Sequence, residues 1–296
     1  MIRLLISLLL AVNLATAFAG NYSKLVIFGD SLSDTNNLAT VTQPFPNPPY
    51  HGNRITNGLV SVEVLAKYLR LPLEPSNHLI GVPTGSNYAV AGAKANGNEP
   101  IDLETQVNAY LQRFGGKVDP KALYVFFIGG NDIRSARSIE DYKTAINFVE
   151  DAADIVGEKA KLFVQLGARN VAFVNSPNIG DIPETRLLSA GSTELQQLAN
   201  NLTYYYNKQL ERNALSIYGS DRGLNIRFVD INSVFRSILA YAIYFGFENS
   251  TDACFSSATH QLAPNCNFDR FIFFDEIHPT ARVHELSGIT LYSRLR

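Results

Sequence analysis

The sequence lacks an excess of charge of either sign, and it contains no block rich in Lys or Arg. Its 296 residues carry 25 Lys and Arg against 27 Asp and Glu, a formal net charge of -2. Such a chain has no basic field that would attract phosphates, so we expect no nucleic-acid partner. Internal repeats and breaks in composition are absent too. The length and the 46% hydrophobic content therefore predict a single domain over residues 20–296.

Long apolar runs are absent after the first 19 residues. That opening stretch has one early basic residue, Arg3, then a mostly apolar segment, and it ends in small residues at Ala17 and Ala19. The pattern predicts a secretory signal peptide over 1–19, cleaved after Ala19. A membrane anchor would need about 20 apolar residues, and Asn13 interrupts the run. We expect a secreted or periplasmic protein without an integral membrane segment in its mature form.

Cysteine is scarce, with only Cys254 and Cys266, twelve positions apart in a polar segment. In an oxidising compartment this pair favours a disulfide that closes a short loop. CxxC and HExxH patterns are missing, so we expect no metal site.

Five short apolar runs punctuate the chain, and longer segments separate them. Four of the five are almost continuously apolar, which is typical of strands buried on both faces. Segments between them carry apolar residues at helical spacing, at 58–70, 138–168 and 192–218. Alternating strands and helices predict a five-stranded parallel sheet between two helical layers. The runs are KLVIF (24–28), NYAVA (87–91), LYVFFI (123–128), NVAFV (170–174) and NIRFVDI (225–231).

Ser31 lies just beyond the first run, in the stretch GDSLSD. In parallel sheets ligands bind beyond the carboxyl ends of the strands, where loops run into helix N-termini that stabilise negative charge. Ser31 is therefore a candidate nucleophile. The alternative is a plain capping stretch, because Ser and Asp are preferred at helix N-caps.

The second and third runs also end in residues suited to a reaction site. Gly92 follows the second run and Asn131 follows the third, in AVAGA and IGGND. Taken singly, Gly92 suits a tight turn and Asn131 a helix cap. Together with Ser31, their backbone and side-chain N–H groups would form an oxyanion hole, which stabilises the charge that develops during acyl transfer.

A serine nucleophile needs a base, and the base needs an orienting carboxylate. Of the five histidines, His278 in FIFFDEIHPT has Asp275 three residues earlier and precedes a predicted helix over 280–294. His284 lies inside that helix, where it would pack or face solvent. His51, in the polar stretch PPYHGNRITNG, is a weaker candidate for substrate binding.

Four blocks of the sequence, in this order, resemble those of the GDSL or SGNH hydrolases. FGDSLSD matches the nucleophile block, NYAVAGA the glycine block, GGND the asparagine block and DEIHP the Asp-x-x-His block. The resemblance spans the chain from about Tyr22 to Arg296. It implies a flavodoxin-like three-layer α/β/α sandwich with a five-stranded parallel sheet, and no required cofactor.

The resemblance also implies a role for each matching residue. Ser31 would be the nucleophile, His278 the base and Asp275 its partner, while Gly92 and Asn131 would donate to the oxyanion beside the Ser31 amide. The implied activity is hydrolysis of carboxylic acyl esters through an acyl-enzyme.

The substrate class rests on a proline-rich segment, 34–58, that follows the nucleophile. It partly resembles the secreted bacterial branch that includes lysophospholipases, glycerophospholipid:cholesterol acyltransferases and thermolabile haemolysins. A lipid substrate and transient contact with a membrane surface are therefore expected. Arg54 in this segment would either pair with a phosphate or brace the loop. The aromatic stretches at 241–247 and 268–274 would either line an acyl groove or belong to the core.

Two other hypotheses remain open at this stage. A short-chain esterase acting on small esters, such as choline or acetyl esters, would differ from a lipid hydrolase in acyl-chain preference. A secreted binding module that has lost its chemistry would be inert toward a serine-directed phosphonate. A third hypothesis concerns the cysteine loop, which would fix the approach of the His278 loop or act as a lid.

Overall fold

The structure is a computed structural model that describes residues 22–219, 221 and 223–296; the predicted signal peptide lies outside these residues. A four-stranded parallel sheet forms the centre of the domain, with neighbours in chain order β1-β2-β3-β4. Among the described residues, no helix is long and apolar enough to cross a membrane. The strands of the sheet are β1 Leu25–Gly29, β2 Leu123–Phe127, β3 Asn170–Val174 and β4 Asn225–Val229.

The nearly continuous apolar strands are explained by two hydrophobic clusters, one on each face of the sheet. In β1, Val26 and Phe28 point into one cluster, while Leu25 and Ile27 point into the other. Successive side chains of a strand face opposite sides, so a strand covered on both sides needs apolar residues at every position. The prediction of a parallel sheet between two helical layers is confirmed.

Helices cover both faces, and two further pairs of short strands lie outside the main sheet. The predicted helical segments 58–70, 138–168, 192–218 and 280–294 are confirmed, with ends that differ by no more than four residues. The helices are α1 Ser61–Leu69, α2 Leu103–Arg113, α3 Gly130–Ala136, α4 Tyr142–Gln165, α5 Pro183–Leu188, α6 Glu194–Tyr218, α7 Ile231–Ala240 and α8 Ala281–Leu295. The outer strands are β5 Asn249–Ala253 with β8 Phe271–Phe273, and β6 Phe255–Ser256 with β7 Gln261–Leu262. Single 3-10 turns lie at Leu38–Thr40 and Ile179–Asp181.

The prediction of a fifth strand at 87–91 is wrong. This segment does run beside β1, where the N–H of Tyr88 donates to the carbonyl of Ile27 at 2.8 Å. The ladder is interrupted, however, because the N–H of Gly29, which would form the next bond to this segment, donates to Oε1 of Gln106 at 2.9 Å. The segment takes the edge position that a flavodoxin-like sheet would give its second strand, without forming a regular ladder.

His284 joins the C-terminal helix α8 to α1. The residue is buried, and its Nδ1 accepts hydrogen bonds from the backbone N–H and the hydroxyl of Ser61, at 3.2 and 2.9 Å. The expectation that it packs is confirmed. An accepting Nδ1 requires a neutral ring, and burial lowers the pKa of His284 to about 3.

The predicted disulfide is present between Cys254 and Cys266. Cys254 is fully buried, and its N–H donates to the carbonyl of Phe273 at 3.2 Å. The next N–H, of Phe255, donates to the carbonyl of Phe274 at 2.8 Å. The cysteine loop therefore packs directly on the segment that leads into Asp275.

Replacing His284 with Asn should make the free energy of unfolding fall less steeply as the pH is lowered. Between pH 6.5 and about pH 3 the unfolded chain binds a proton that the folded chain does not, so the free energy of unfolding falls as the pH is lowered. His284→Asn keeps an acceptor near Ser61 and removes this term, at most about 1.4 kcal/mol per pH unit. Urea unfolding of both proteins at pH 6.5, 5.5 and 4.5 measures the difference. If the free energy of unfolding changes equally with pH in both proteins, His284 does not contribute to the pH dependence.

Removing the disulfide should destabilise the domain by about 2 to 3 kcal/mol, because the unfolded chain regains the entropy of an open loop. The double variant Cys254→Ala, Cys266→Ala avoids placing a polar atom at the buried Cys254 position. Urea unfolding of this variant and of the oxidised and reduced parent proteins tests the prediction. Unchanged stability in both variant and reduced parent would contradict it.

Candidate active site

Ser31 lies two residues beyond the end of β1, in a tight turn. The carbonyl of Asp30 accepts the N–H groups of Ser33 and Asp34, both at 3.0 Å, and its carboxylate accepts the N–H of Leu32. This turn leaves Ser31 half-buried, at the wall of a cavity. The serine therefore stands at the carboxyl edge of the sheet, as its sequence position predicts.

The structure brings Ser31, His278 and Asp275 into one chain of hydrogen bonds. Nε2 of His278 lies 2.9 Å from Oγ of Ser31, and Nδ1 lies 2.9 Å from both carboxylate oxygens of Asp275. With the proton on Nδ1, Nε2 is free to accept the hydroxyl proton of Ser31. Asp275 and His278 are both buried, so solvent does not compete with these contacts.

Backbone amides hold the Asp275 carboxylate in place. Its Oδ1 accepts the N–H of Ile277 at 2.8 Å and that of His278 at 2.6 Å. These bonds fix the orientation of the carboxylate toward Nδ1 of His278.

Two other buried carboxylates support the site without contacting Oγ of Ser31. Burial raises the pKa of Asp30 to about 6, although the N–H of Leu32 and the nearby His278 oppose the shift. Burial likewise raises the pKa of Asp132 to about 6. Asp132 accepts the N–H groups of Ala95 and Asn96, both at 2.9 Å, and so joins α3 to the loop that follows Gly92.

The backbone around Gly92 is held by Asp34. Its carboxylate accepts the N–H of Ala91 at 2.8 Å, together with the N–H groups of Asn36, Asn37 and Leu38. Gly92 itself has φ of +88°, a conformation that favours glycine. Within residues 22–219, 221 and 223–296, no acceptor lies within hydrogen-bond reach of the N–H of Gly92 or of Ser31.

Asn131 lies in the first turn of α3, after a turn that requires glycine. Gly129 has φ of +124°, and a Cβ at this position would stand 2.2 Å from the ring of Tyr206. The hydroxyl of Tyr206 donates to the carbonyl of Ile128 at 2.6 Å. The side-chain amide of Asn131 donates one N–H to the carbonyl of Ala93 at 3.0 Å, which joins the asparagine block to the glycine block.

A narrow, mainly apolar cavity of about 50 Å³ opens beside Ser31 and His278. A larger cavity of about 230 Å³, between α6 and α7, is lined by none of the predicted catalytic residues. Of these two cavities, the small one combines apolar walls with the nucleophile and the base. Its apolar side chains are Leu32, Pro177, Ile179, Ile182, Phe235, Ile277 and Pro279.

The structure does not bring His51 or Arg54 to this cavity. The Arg54 guanidinium forms a bidentate ion pair with Glu63, at 2.7 and 2.5 Å, and also donates to the carbonyl of Gly52. These contacts are those of a residue that braces its loop, one of the two interpretations of Arg54. His51 is exposed, and neither residue lines the cavity beside Ser31. A substrate-binding role of His51 and Arg54 stays a prediction.

The buried members of the two aromatic stretches belong to the core, which was one of the two interpretations. In 241–247, Tyr241 and Tyr244 are exposed while Phe247 is buried in the core. In 268–274, Phe271 and Phe273 are buried. No aromatic residue of these two stretches is among the residues that line the cavity beside Ser31.

Sequence reasoning missed Arg134 and Glu184. Arg134 lines the cavity and donates to Oδ1 of Asn131 at 3.0 Å, while its other nitrogens pair with the Glu184 carboxylate. The signal for Arg134 was available, because it follows Asn131 by three residues in a segment that forms a helix, and such pairs share one face. Nothing in the sequence links Glu184 to them.

Comparison with known proteins finds similar sequences in bacteria. A thermolabile hemolysin from Vibrio parahaemolyticus is 28% identical over 289 residues, which cover 88% of this chain and 61% of that protein. The chain thus spans about three fifths of that relative. A phosphatidylcholine-sterol acyltransferase from Aeromonas hydrophila is 28% identical over 246 residues, 80% of this chain and 67% of that protein.

Among solved structures, a catalytic mutant of an acetylxylan esterase from Geobacillus stearothermophilus has a TM-score of 0.49 at 13% identity, with 94% of this chain and 95% of that chain covered. The family profile of GDSL-like lipases and acylhydrolases matches residues 25–289, nearly the whole described domain. This protein belongs to that family and is a carboxylic ester hydrolase.

Proposed function

We propose that the protein is an exported serine hydrolase that cleaves lipid acyl esters through an acyl-enzyme. The observation that carries the proposal is the chain of hydrogen bonds from Ser31 through His278 to Asp275, which opens into an apolar cavity. Nucleophile, base and orienting carboxylate at these distances are the arrangement that acyl transfer requires.

The first half of the reaction forms the acyl-enzyme. Nε2 of His278 takes the proton as Oγ of Ser31 attacks the ester carbonyl, and Asp275 stabilises the imidazolium that results. The N–H groups of Ser31, Gly92 and Asn131 donate to the oxyanion. The carbon–oxygen ester bond then breaks, and His278 gives its proton to the departing alcohol.

The second half releases the acyl group. Water enters, His278 removes its proton, and the hydroxide attacks the acyl carbonyl of the ester on Ser31. The bond between Oγ of Ser31 and the acyl carbon then breaks, His278 returns the proton to Oγ, and the carboxylic acid leaves. A second alcohol in place of water would yield a new ester, so the same site would act as an acyltransferase.

Lipid esters are the proposed substrates for three reasons. The cavity beside Ser31 is mainly apolar. The Aeromonas relative is a phosphatidylcholine-sterol acyltransferase, whose name specifies a lipid substrate. A third reason is a surface of large exposed side chains after α7, where Tyr241, Ile243 and Tyr244 are 58%, 84% and 89% exposed. Exposed apolar and tyrosine side chains suit transient contact with a membrane surface.

A specific observation favours the alternative, a short-chain esterase. The cavity of about 50 Å³ is small for a long acyl chain. Acyl-chain preference decides between the two functions.

Export is proposed from the signal-like residues 1–19 and supported by the disulfide, since disulfides persist in oxidising compartments. The mature protein would then act outside the cytoplasm.

Replacing Ser31 with Ala should lower turnover by about 10⁴- to 10⁶-fold, because the nucleophile is lost. Initial rates are measured on esters from acetyl to palmitoyl and on lysophosphatidylcholine. Rates that rise with chain length would support the lipid hydrolase, and a maximum at acetyl or butyryl would support the short-chain esterase.

Ser33→Ala is the matched control for this experiment. Ser33 is two residues away and buried, and its hydroxyl has no hydrogen-bond partner within the described part of the chain. We expect this variant to keep its activity. Near-normal hydrolysis by Ser31→Ala would refute the assigned nucleophile.

Replacing Asp275 with Asn should reduce kcat by about 10⁴-fold with the fold intact. The new amide can still accept the N–H groups of Ile277 and His278 through its oxygen, but it no longer stabilises the imidazolium or favours the proton on Nδ1. Asp30→Asn, at the other buried carboxylate near His278, should reduce kcat far less. Steady-state kinetics and thermal unfolding of both variants test this. Equal losses in kcat would mean that Asp275 is not the sole orienting carboxylate.

A further inference from the structure

Arg134 connects the oxyanion side of the site to an ion pair. Its Nη1 donates to Oδ1 of Asn131 at 3.0 Å, and its Nε and Nη2 donate to the Glu184 carboxylate at 3.0 and 2.5 Å. Three of the five N–H groups of the guanidinium are thus engaged, and the side chain is 27% exposed.

The Asn131 amide needs such a partner to act as a donor. A side-chain amide has one accepting oxygen and two N–H groups. Arg134 holds the oxygen, and the carbonyl of Ala93 takes one N–H at 3.0 Å. One N–H is left for the oxyanion. If the amide turned over, its oxygen would face the oxyanion and repel it.

Glu184 is itself held from two sides. Arg137 donates to its carboxylate at 2.6 Å and to the hydroxyl of Thr185 at 2.6 Å. Burial opposes ionisation of Glu184, but the hydrogen bonds from Arg134 and Arg137 outweigh it and keep its pKa below the usual value. The carboxylate therefore stays charged and anchors Arg134.

Glu184 also contacts the loop that carries Asp275 and His278. The backbone N–H of Glu184 donates to the carbonyl of Glu276 at 2.8 Å, next to Asp275. A continuous path of hydrogen bonds thus runs from Asn131 through Arg134 and Glu184 to the loop that carries His278.

We propose that Arg134 is a positioning residue that fixes the Asn131 amide with one N–H toward the oxyanion, anchored by Glu184 to the His278 loop. This inference rests on the proposed function, in which Asn131 is an oxyanion donor. It assigns Arg134 no contact with substrate. The cation also polarises the amide, which strengthens the remaining N–H as a donor.

A double-mutant cycle tests the proposal with Arg134→Met, Asn131→Ala and the combined variant. kcat and KM are measured on p-nitrophenyl butyrate and on lysophosphatidylcholine. Asn131→Ala should lower kcat by about 10²- to 10³-fold. Arg134→Met should lower kcat about 10- to 100-fold with little change in KM, and its further effect in the Asn131→Ala background should be less than about threefold, because it acts through the same group.

Arg137→Met is the matched control. It removes one partner of Glu184 and the bond from Nε of Arg137 to the backbone carbonyl of Arg134, but no contact with Asn131. The Arg134 guanidinium keeps both of its bonds to the Glu184 carboxylate. It should lower thermal stability while kcat stays within about threefold of the parent. Arg134→Lys, the second variant at this position, should resemble Arg134→Met in kcat, because an ammonium cannot reproduce the planar fork.

Two kinetic outcomes would overturn the proposal. Equal kcat losses from Arg134→Met in both backgrounds would show that Arg134 acts independently of Asn131. A rise in KM for lysophosphatidylcholine alone would make Arg134 a binder of substrate phosphate.

A spectroscopic readout separates this proposal from the proposed function. With ¹⁵N-labelled asparagine, the Asn131 side-chain signals are assigned by their loss in Asn131→Ala. They should shift and exchange faster with solvent in Arg134→Met and in Arg134→Lys, but not in Arg137→Met. Unchanged signals would refute positioning, whatever the activity. Absence of Ser31-dependent hydrolysis in the parent protein would instead refute the proposed function.

Discussion

The parallel pairing of β1 with β2 is the constraint on which the site depends. Its register places Gly29 opposite Phe127, so the two strands end side by side at one edge of the sheet. Ser31 follows one end and Asn131 the other, and the segment beside β1 adds Gly92 through the bond from Val90 N–H to Gly29 O. Gly92 and Asn131 thus lie close to Ser31 although they are some 60 and 100 residues away in the sequence. Buried acceptors such as Asp34 and Asp132 hold the loops in place by hydrogen bonds to their backbone N–H groups.

His278 reaches the serine by a different route. Its loop follows β8, which pairs with β5 outside the main sheet, and the disulfide-closed segment hydrogen-bonds to Phe273 and Phe274 just before Asp275. The base therefore depends on a peripheral substructure and the nucleophile on the central sheet. Glu184 links the central sheet to this peripheral substructure. Its N–H donates to the carbonyl of Glu276, and its carboxylate accepts hydrogen bonds from Arg134 of α3.

Much of this could be predicted from the chain, and the failures have physical causes. Continuous apolar runs identified β1, β2 and β3, since only a strand covered on both faces needs apolar residues at every position. The run that became β4 is less continuous, because Arg227 is exposed. The run at 87–91 looks the same in sequence, but the side chain of Gln106 accepts the Gly29 N–H that a regular ladder with this run would use. The ion pair of Arg54 with Glu63 could not be predicted, because it depends on how the loop lies against α1.

The sequence by itself determined the alternation of strands and helices, the pairing of two cysteines and the identity of the residues at the strand ends. These follow from local periodicity, from composition and from the short reach of neighbours along the chain. The tertiary structure alone decided which side chains meet: Oγ of Ser31 with Nε2 of His278, 247 residues apart, and Arg134 with Glu184. Hydrogen bonds act over about 3 Å, so distant partners become defined only when packing has set the distances between elements.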